Sequence, residues 1–317
     1  MTEHPIRTLV ILLVAAALLA PSAADARRRK RRRPPPSPCL VATAQMARSC
    51  SLESLESFHA RLAMCVNLSD RDERAACGEE AEEGYREAVA ECQAQTVARR
   101  ELCRVPGFAQ AYDPEIDPAS FVDGIDNPYA PFRIGSRWVY EKEGEEGLEH
   151  IEIEVLPETR EIEGVECTTV RDRVWLDGEL VEDTLDWVAQ DTEGNVWYFG
   201  EIAQNFEDGL LVDLEGSWEA GRDGAKPGFW VKAAPQEGEV YRQEFLLGEA
   251  EDVVEVLSLD AVVPVPFANG SPVLQTRDTT ALEPGVEEYK FYVPGVGVVL
   301  EVDPETGEQL ELIEYTP

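Results

Sequence analysis

The chain has 317 residues, of which 44% are hydrophobic, and its formal net charge is −35. This length fits one large domain or two smaller ones, and the hydrophobic fraction is enough to form a core, so a wholly disordered chain is excluded. The charge is uneven, because residues 105–317 hold 12 basic against 49 acidic side chains. Such a surface repels nucleic acid and anionic lipid, and it favours divalent cations, basic partners or simple solubility. We therefore expect no nucleic-acid binding by this part, and the residues indicate no particular protein partner or oligomeric state.

The first 26 residues have the pattern of a secretory signal peptide. An apolar run, Thr8–Ala20, follows Arg7 and precedes the small-residue cleavage motif Ala24–Ala26. The run is short for a membrane span. Seven cations at Arg27–Arg33 favour the alternative of an uncleaved anchor, since cationic flanks tend to stay on the cytoplasmic side. The sequence predicts a secreted or periplasmic protein, with a membrane-anchored form as the alternative.

Residues 27–38 form a basic, proline-rich arm with the sequence RRRKRRRPPPSP. Because like charges repel and prolines stiffen the backbone, we expect the arm to be extended. We interpret it as a solvated linker. Contact of residues 27–33 with an anionic surface, or with the acidic remainder of the chain, is the alternative.

Six of the seven cysteines follow a palindromic spacing of 11, 15, 12, 15 and 11 residues. In each symmetric pair of cysteines, the two residue numbers sum to 142. Residues related in this way lie side by side across two antiparallel helices that are joined by a turn near Arg71. On each helix the three cysteines fall within about 80° of one another. Residues 39–104 are therefore predicted to form a helical hairpin, with a zinc site or reduced core cysteines as alternatives. The predicted disulfides are Cys39–Cys103, Cys50–Cys92 and Cys65–Cys77.

Residues 105–131 are predicted to be an acidic, proline-rich linker. Five of its carboxylates lie close together in sequence, and oxygen ligands on a flexible loop are what Ca²⁺ takes. Their spacing is not that of an EF-hand, so the alternative is a polar linker whose aspartates cap turns. We expect no cofactor, with Ca²⁺ as the one metal hypothesis. The candidate metal ligands are Asp113, Glu115, Asp117, Asp123 and Asp126.

From residue 132 to residue 317 the hydrophobic pattern has the period of two that is typical of β-strands. The densest signal is Gly164–Glu201, which alternates on either side of Asp177-Gly178, a dipeptide suited to a type I′ turn. It predicts a three-stranded meander. Further strands follow without helical stretches between them, so consecutive strands should pair antiparallel. The predicted fold class is α+β: a disulfide-linked antiparallel helical hairpin, then a large antiparallel β-sheet in barrel-like or half-barrel form.

Few residues fit a known catalytic pattern. The mature chain has only His59 and His150 as histidines, which disfavours Ser-His-Asp hydrolysis and histidine-bound zinc. Cys167, the odd thiol, is interpreted as a small buried residue rather than a nucleophile. Carboxylate-pair catalysis needs two acids with unequal pKa values, and neighbouring aromatic rings are typical of sugar sites. The candidate catalytic acids, each close to an aromatic residue, are Asp186, Glu201 and Glu219.

The candidate ligand-binding residues are the tryptophans beside these acids and two cations in the glycine-rich stretch 216–228. Lys226 is expected either to pair with a buried acid or to meet an anionic group of a ligand. A long hairpin loop fixed by glycine and proline is the alternative. The candidates are Trp187, Trp197, Trp218, Arg222 and Lys226.

Several motifs of the β region resemble a family of exported bacterial proteins that is itself uncharacterised. They are Asp126-Asn127-Pro128-Tyr129, GVECTTVRDRVWLDGELVEDTLDW, AQDTEGNVWYFGE, GSWEAGRDGAKPG and YKFYVPGVGVV. The resemblance covers residues 126–315 and implies one β-rich domain with the cysteine-rich hairpin as an accessory module. It implies no activity, cofactor or catalytic residue.

The sequence thus favours an exported, acidic, non-catalytic binding or structural protein whose ligand is unspecified. One alternative is a carrier of a small apolar molecule, which requires inward-facing apolar residues to line a cavity in a β half-barrel. The other is a carboxylate-dependent hydrolase acting on a sugar, which requires two acids in a cleft with aromatic walls.

Overall fold

The structure, a computed structural model, describes residues 35–144 and 147–317. The predicted signal peptide, residues 1–26, and the cationic part of the predicted arm, residues 27–33, lie outside the described residues. Ser37–Pro317 belong to one folded unit. Within the described ranges, no helix combines the length and the apolar character needed to span a membrane.

Two long helices form the predicted hairpin: α1, Pro38–Cys65, and α2, Arg71–Leu102. Asp70 caps α2, because its carboxylate accepts hydrogen bonds from the first free backbone N–H groups of the helix, including that of Glu73 at 3.0 Å. These bonds lower the pKa of Asp70 and place a negative charge where the helix dipole favours it. The turn predicted near Arg71 is confirmed.

Three disulfides connect α1 to α2 and its C-terminal end. They are the three predicted pairs, Cys39–Cys103, Cys50–Cys92 and Cys65–Cys77, with Cα–Cα distances of 5.6, 5.7 and 5.5 Å. These distances are ordinary for unstrained disulfides. Each bond is expected to stabilise the hairpin by about 2–4 kcal/mol, mainly by restricting the unfolded chain. The pairing inferred from the palindromic spacing is confirmed.

After a short 3-10 turn at Pro118–Ser120, the described chain is built from antiparallel strands. The strands are β1 Phe121–Val122, β2 Arg137–Gly144, β3 Gly147–Ile162, β4 Val165–Leu176, β5 Glu179–Asp191, β6 Val196–Glu207, β7 Leu210–Asp213, β8 Trp218–Glu219, β9 Lys226–Val231, β10 Val240–Arg242, β11 Glu244–Phe245, β12 Asp252–Ala261, β13 Val273–Thr280, β14 Glu287–Val293, β15 Gly297–Val302 and β16 Gln309–Thr316. The predicted class, a helical hairpin followed by a large antiparallel sheet, is confirmed.

Strand order in the sheet follows chain order over long stretches, because hairpins join consecutive strands. The path runs β10-β12-β13-β14-β15-β16-β2-β3-β4-β5-β6-β9-β11, and β1, β7 and β8 attach to β5 and β6. The predicted meander is β4-β5-β6. At its first turn Asp177 and Gly178 have φ of 51° and 86°, the two positive values that a type I′ turn requires.

The two ends of this path meet in one short segment. β10 pairs with β12, while β11 pairs with β9 on the opposite side, and only Gln243 separates β10 from β11. The backbone N–H of Gln243 donates to the carbonyl of Asp252 at 2.9 Å. Gly228 on β9 comes so near that a Cβ at this position would lie 2.2 Å from the Gln243 carbonyl oxygen. The sheet therefore takes the barrel-like form of the prediction.

The segment predicted as a linker, residues 105–131, packs against this sheet. Its apolar residues Ile125 and Ala130 are buried in the core. The side-chain carbonyl of Gln190 accepts hydrogen bonds from the backbone N–H groups of Asp126 and Asn127 at 2.9 and 2.8 Å. These contacts make the segment part of the barrel wall, because its polar backbone finds partners there.

Helix α2 contacts the barrel through a buried ion pair between Arg99 and Glu251, whose side chains are 5% and 2% exposed. Arg99 Nη2 donates to Glu251 Oε1 at 2.7 Å, and Arg99 Nε donates to Oε2 at 2.9 Å. Gln95 adds a bond from its side-chain amide to the carbonyl of Leu282 at 2.9 Å. Such two-pronged pairing fixes the orientation of the helix on the sheet.

Candidate functional site

A cavity of 240 Å³ lies inside the barrel. The described residues that line it come from strands on all sides of the sheet, including β2, β5, β12 and β14. Seven of them are carboxylates and one is a lysine, so the lining is strongly acidic. The carboxylates are Asp172, Glu182, Asp186, Glu201, Glu244, Asp252 and Glu301, and the lysine is Lys290.

A second cavity of 400 Å³ adjoins the first, because Gln243, Asp252, Lys290 and Glu301 line both. It adds further acids to the lining. Among them are Asp278, Glu283, Glu287 and Glu288. The acidic character of the barrel interior therefore continues through both cavities, which we call the acidic lumen.

Aromatic rings form another part of the wall of the first cavity. The indole N–H of Trp138 donates to the carbonyl of Val296 at 2.6 Å, and the hydroxyl of Tyr140 donates to that of Val298 at 3.0 Å. These bonds hold the two rings in place. The other rings are Tyr129, Phe132, Tyr198, Trp230 and Tyr292. Together they present π faces, which attract cations, beside the carboxylates.

Asp186 and Glu201 lie opposite each other on β5 and β6. The hydroxyl of Tyr198 donates a hydrogen bond to Asp186 Oδ1 at 2.5 Å. Burial raises the pKa of Asp186 to about 7, although the bond from Tyr198 opposes the shift. Burial, and then the negative charge of Asp186, raise the pKa of Glu201 to about 9. At neutral pH the pair therefore holds at least one proton.

Lys290 is surrounded by carboxylates. Its Nζ lies 3.2 Å from Glu288 Oε2, 3.5 Å from Asp278 Oδ2 and 4.0 Å from Glu301 Oε1. Burial alone would lower the pKa of Lys290, but these three charges outweigh burial and raise the pKa well above its usual value. In turn Lys290 lowers the pKa of Glu288, whereas burial raises that of Glu301 to about 8 despite the ammonium. The single ammonium group of Lys290 thus offsets only part of the negative charge of the carboxyl groups around it.

Three further acids of the first cavity also have raised pKa values. Burial raises the pKa values of Asp172, Glu244 and Asp252, and neighbouring carboxylates raise them further. Asp172 Oδ1 is buried and has no hydrogen-bond partner among the described residues. Because a nearby positive charge favours the ionised form of a carboxyl group, a cation that enters this cavity would displace protons from it.

Two of the three predicted catalytic acids, Asp186 and Glu201, lie in the acidic lumen. The third, Glu219, does not line it. Glu219 forms an ion pair with Arg160, and its Oε1 lies 2.5 Å from Nε of Arg222. These bonds engage its carboxylate away from the other two acids.

Trp187 does not line the cavity, although it neighbours Asp186 in the sequence. Successive side chains of a strand point to opposite faces, so Trp187 faces away from the lumen when Asp186 faces into it. The guanidinium carbon of Arg160 lies 4.2 Å from the centre of its ring. The tryptophan therefore packs under a cation on the other face of the sheet.

The other two candidate tryptophans also lie outside the lining. The indole N–H of Trp197 donates to Asp191 Oδ2 at 2.8 Å, which holds the ring at the turn between β5 and β6. Trp218 is buried, and its ring centre lies 5.2 Å from that of Tyr198. Trp218 thus packs against Tyr198, a ring of the cavity wall, without lining the cavity itself.

Arg222 and Lys226 pair with acids outside the lumen. The glycine-rich stretch 216–228 is shorter as a loop than predicted, because it contains β8 and the first residues of β9. Arg222 pairs with Glu219, as described above. Lys226 Nζ lies 2.6 Å from Asp113 Oδ1, whose side chain is exposed. Of the two predicted roles for Lys226, pairing with an acid is observed, although that acid is not buried.

The five candidate metal ligands do not share one site. Asp113 forms the ion pair described above, and Asp117 caps the 3-10 turn by accepting a backbone hydrogen bond at 3.1 Å. Asp126 accepts a bond from a side-chain amide at 2.7 Å, while Glu115 and Asp123 are exposed. In residues 35–144 and 147–317, no group of three or more His, Cys, Asp or Glu residues has the arrangement of a metal site. Ca²⁺ binding here stays a prediction.

Cys167 is a free cysteine and is fully buried in the core of the barrel. Its thiol donates a weak hydrogen bond to the carbonyl of Val165 at 3.7 Å. Burial raises its pKa to about 12, so the thiol stays protonated at neutral pH. The prediction of a small buried residue is confirmed.

Most residues of the acidic lumen were not among the sequence candidates, which were chosen for their aromatic neighbours. A different signal is present in the strands. Asp172 lies two residues after the buried Val170, and Asp252 lies two residues before the buried Val254. Because side chains alternate, each acid shares the inward face with its apolar neighbour. In these strands, charged residues at the positions that alternate in step with core residues therefore indicate the lining of this cavity.

No protein-family model matches the chain, and no curated protein matches it either. One similar solved structure is that of a candidate lipoprotein from Parabacteroides distasonis ATCC 8503, with 11% identity and a TM-score of 0.31; the match covers 62% of this chain and 100% of that chain. Another is a β-barrel-like protein of the domain of unknown function DUF1849 from Brucella abortus, with 12% identity and a TM-score of 0.35, covering 57% of this chain and 97% of that chain. Similarity at this level of sequence identity and TM-score supports no conclusion about function.

Proposed function

We propose that the protein is an exported binding protein whose acidic lumen takes a small organic cation. The observation that carries this proposal is the composition of the first cavity, where seven carboxylates and one lysine surround 240 Å³ beside a wall of aromatic rings. Carboxylates and π faces are the two groups that proteins use to hold ammonium ligands.

Electrostatics support a cationic rather than a neutral or anionic ligand. The lumen is partly shielded from water, so charges interact there more strongly than at the surface. The raised pKa values of Glu201 and Glu301, about 9 and 8, mean that the empty lumen keeps protons at neutral pH. A bound ammonium would replace these protons and form charge-assisted hydrogen bonds with the carboxylates.

The size of the first cavity limits the ligand. The volume of 240 Å³ lies just below the range of about 300–1,000 Å³ that is usual for pockets of drug-sized ligands. This favours a compact amine or a short diamine. A diamine has the further advantage that its two charges match acids on different strands, such as the Asp186–Glu201 pair and Glu244.

The lining gives less support to a carrier of a small apolar molecule. An apolar ligand would strip water from carboxylates without replacing their hydrogen bonds, and that loss costs free energy. Apolar carriers instead line their cavities mainly with apolar side chains. The acids of the lumen therefore favour the cationic ligand over the apolar one.

A carboxylate-dependent hydrolase acting on a sugar is the second candidate function. One observation favours it: Asp186 and Glu201 are cross-strand partners with unequal pKa values, about 7 and about 9. A pair of this kind can divide the roles of acid and base. Release of nitrophenol from a panel of nitrophenyl glycosides, lost in Asp186→Asn, would support it, and no release above buffer would count against it.

The disulfides support export. Three disulfides in one small hairpin are typical of proteins in oxidising compartments outside the cytoplasm. We propose a secreted or periplasmic location, with anchoring by an uncleaved N-terminal segment as the alternative. Sequencing the N-terminus of the purified protein tests this, since a start at Arg27 supports cleavage and a start near Met1 supports the anchor.

Calorimetric titration of the purified protein with 1,4-diaminobutane tests the proposed ligand class. At pH 8 we expect saturable binding of the diamine and none of 1,4-butanediol, which has a similar shape and no charge. CaCl₂ titrated in the same buffer tests the metal hypothesis. Equal binding of the diamine and the diol, or no heat from either, would refute the proposal.

Matched variants assign the binding to the lumen. Glu244→Gln removes one carboxyl group that a bound diamine would ionise, and it should weaken diamine binding by about tenfold, the usual effect of losing one charged hydrogen bond. Glu179→Gln removes an exposed acid at a turn and should leave binding unchanged. If both variants bind the diamine as the wild type does, the ligand is held elsewhere on the acidic surface.

A further inference from the structure

A third cavity, of 200 Å³, lies where the helical hairpin meets the barrel. Its lining includes Cys39 and Leu102 from the hairpin and Phe245 and Leu247 from the barrel side. The lining is mostly apolar, in contrast to the acidic lumen. We call this cavity the junction pocket.

Arg242 is the unusual residue of the junction pocket. It lines the cavity and is only 8% exposed. Its guanidinium carbon lies 4.6, 5.4 and 4.8 Å from the ring centres of Phe108, Tyr112 and Phe245. Among the described residues, no acceptor lies within hydrogen-bond distance of its side chain and no carboxylate pairs with it. Its nitrogen atoms are not sealed inside the protein, so the N–H groups can donate to a ligand that enters the pocket.

The acid that lines the junction pocket, Glu251, acts on Arg242 electrostatically but forms no hydrogen bond with it. Both of its oxygens accept hydrogen bonds from Arg99. Its Oε1 also accepts a bond from the backbone N–H of Gly248 at 2.7 Å. The charges around the pocket are thus two guanidinium groups against one carboxylate. In a chain with a net charge of −35, this is a locally positive site.

We propose that the junction pocket binds a small organic carboxylate with an apolar body. The carboxylate would accept two parallel hydrogen bonds from Arg242, which is the geometry that guanidinium groups favour. The apolar body would lie against Leu102, Phe245 and Leu247. A volume of 200 Å³ lies below the range of about 300–1,000 Å³ that is usual for pockets of drug-sized ligands, which favours a short chain over a long fatty acid.

This site is independent of the acidic lumen in charge and in residues. None of the described residues that line the junction pocket lines the cavity of the lumen. The two sites would therefore take ligands of opposite charge. Binding at one site can succeed or fail in experiment without deciding the other.

Calorimetric titration of the purified protein with hexanoate tests the proposal, with 1-hexanol and hexylamine as probes of the same chain length. We expect hexanoate to bind at least tenfold more tightly than hexanol, because only the carboxylate forms charge-assisted hydrogen bonds with the guanidinium on both sides of the contact. Hexylamine should not compete with hexanoate. Equal affinity for hexanoate and hexanol, or no binding of hexanoate, would overturn the proposal.

Variants locate the binding. Arg242→Met keeps the length of the side chain and removes its charge, and it should reduce hexanoate affinity to that of hexanol. Arg71→Met removes an exposed arginine at the start of α2 and should change nothing. Should Arg242→Met fail to fold, Ala42→Phe gives a second test, since Ala42 lines the pocket and a phenyl ring there would fill it. Hexanoate binding that persists in Ala42→Phe would show that the carboxylate sits elsewhere.

Discussion

Asp186 and Glu201 face each other across two neighbouring strands, and the hydroxyl of Tyr198 bonds to Asp186 at 2.5 Å. Two acids this close inside a protein cannot both ionise cheaply, because each carboxylate raises the cost of charging the other. The close placement of these two acids therefore lowers the stability of the folded barrel.

Glu201→Gln should stabilise the protein at high pH. The pKa of Glu201 is about 9 in the folded protein and 4.5 in its ordinary state, so above pH 4.5 the unfolded chain ionises this residue while the folded chain does not. Stability is thus full below pH 4.5 and falls as pH rises towards 9. Glutamine removes this loss, and we expect a gain of roughly 2 kcal/mol at pH 8 and little change at pH 4.

Urea unfolding of Glu201→Gln and the wild type at both pH values measures the effect. Glu179→Gln, at an exposed turn, is the control and should show no such pH dependence. A variant that is less stable than the wild type at pH 8 would contradict the assignment of a protonated Glu201.

Lys290→Met should destabilise the barrel near neutral pH. The ammonium of Lys290 is within 4.0 Å of three carboxyl groups, and its removal leaves these partly buried acids without their cation. Because Lys290 is 23% and Glu288 45% exposed, we expect a loss of about 1–3 kcal/mol, below the roughly 3–5 kcal/mol that is typical of a fully buried pair. The loss should be smaller near pH 4, where protonation of these carboxyl groups removes the charge that Lys290 offsets.

Thermal unfolding at pH 4 and pH 8 measures the cost. Lys226→Met is the control, because Lys226 pairs outside the lumen with the exposed Asp113 at 2.6 Å, where an ion pair contributes at most about 1 kcal/mol. Similar losses for the two variants would show that Lys290 is not the main counter-charge of the lumen.

Gly228→Ala should disrupt the junction at which the sheet closes. A Cβ at this position would lie 2.2 Å from the Gln243 carbonyl oxygen, and backbone atoms cannot yield as a flexible side chain can. We expect a loss of about 2 kcal/mol or more, as for other strained substitutions. Gly84→Ala on α2 is the control, since a Cβ there meets nothing within 4 Å and alanine favours the helix by about 1 kcal/mol. Unfolding curves in urea should therefore shift in opposite directions.

Arg99→Leu should weaken the attachment of the hairpin to the barrel. It leaves the buried carboxylate of Glu251 without its main partner, which typically costs about 3–5 kcal/mol. The double variant Arg99→Leu/Glu251→Leu should recover much of this loss, because no unpaired charge remains. Breaking the exposed Arg61–Glu80 pair in the same assay should cost under about 1 kcal/mol. Equal losses for both pairs would contradict the role assigned to the buried one.

The sequence predicts the hairpin and the meander well because both depend on local rules. The cysteine spacing follows directly from helix geometry, and Asp177-Gly178 is one of the few dipeptides that favour a type I′ turn. By contrast, closure of the sheet depends on the approach of Gly228 to Gln243. These residues pair with different strands, and no local pattern records their contact.

The site could be predicted only in part. Asp186 and Glu201 were chosen for their aromatic neighbours in the sequence, yet Trp187 points to the opposite face of its strand from Asp186. The residues that do meet in the lumen, such as Lys290 and Asp278, come together only through sheet order. Charged residues that alternate in step with buried residues along a strand indicate more of the lining than aromatic neighbours do.

The closure at Gln243 also bears on how the protein behaves at high concentration. Every long strand of the sheet has a neighbour on each side over at least part of its length, and the strands at the two ends of the described path, β10 and β11, are short. Chains aggregate most readily by adding strands to exposed sheet edges. A protein built this way offers few such edges to a second molecule, and its negative surface adds repulsion between copies.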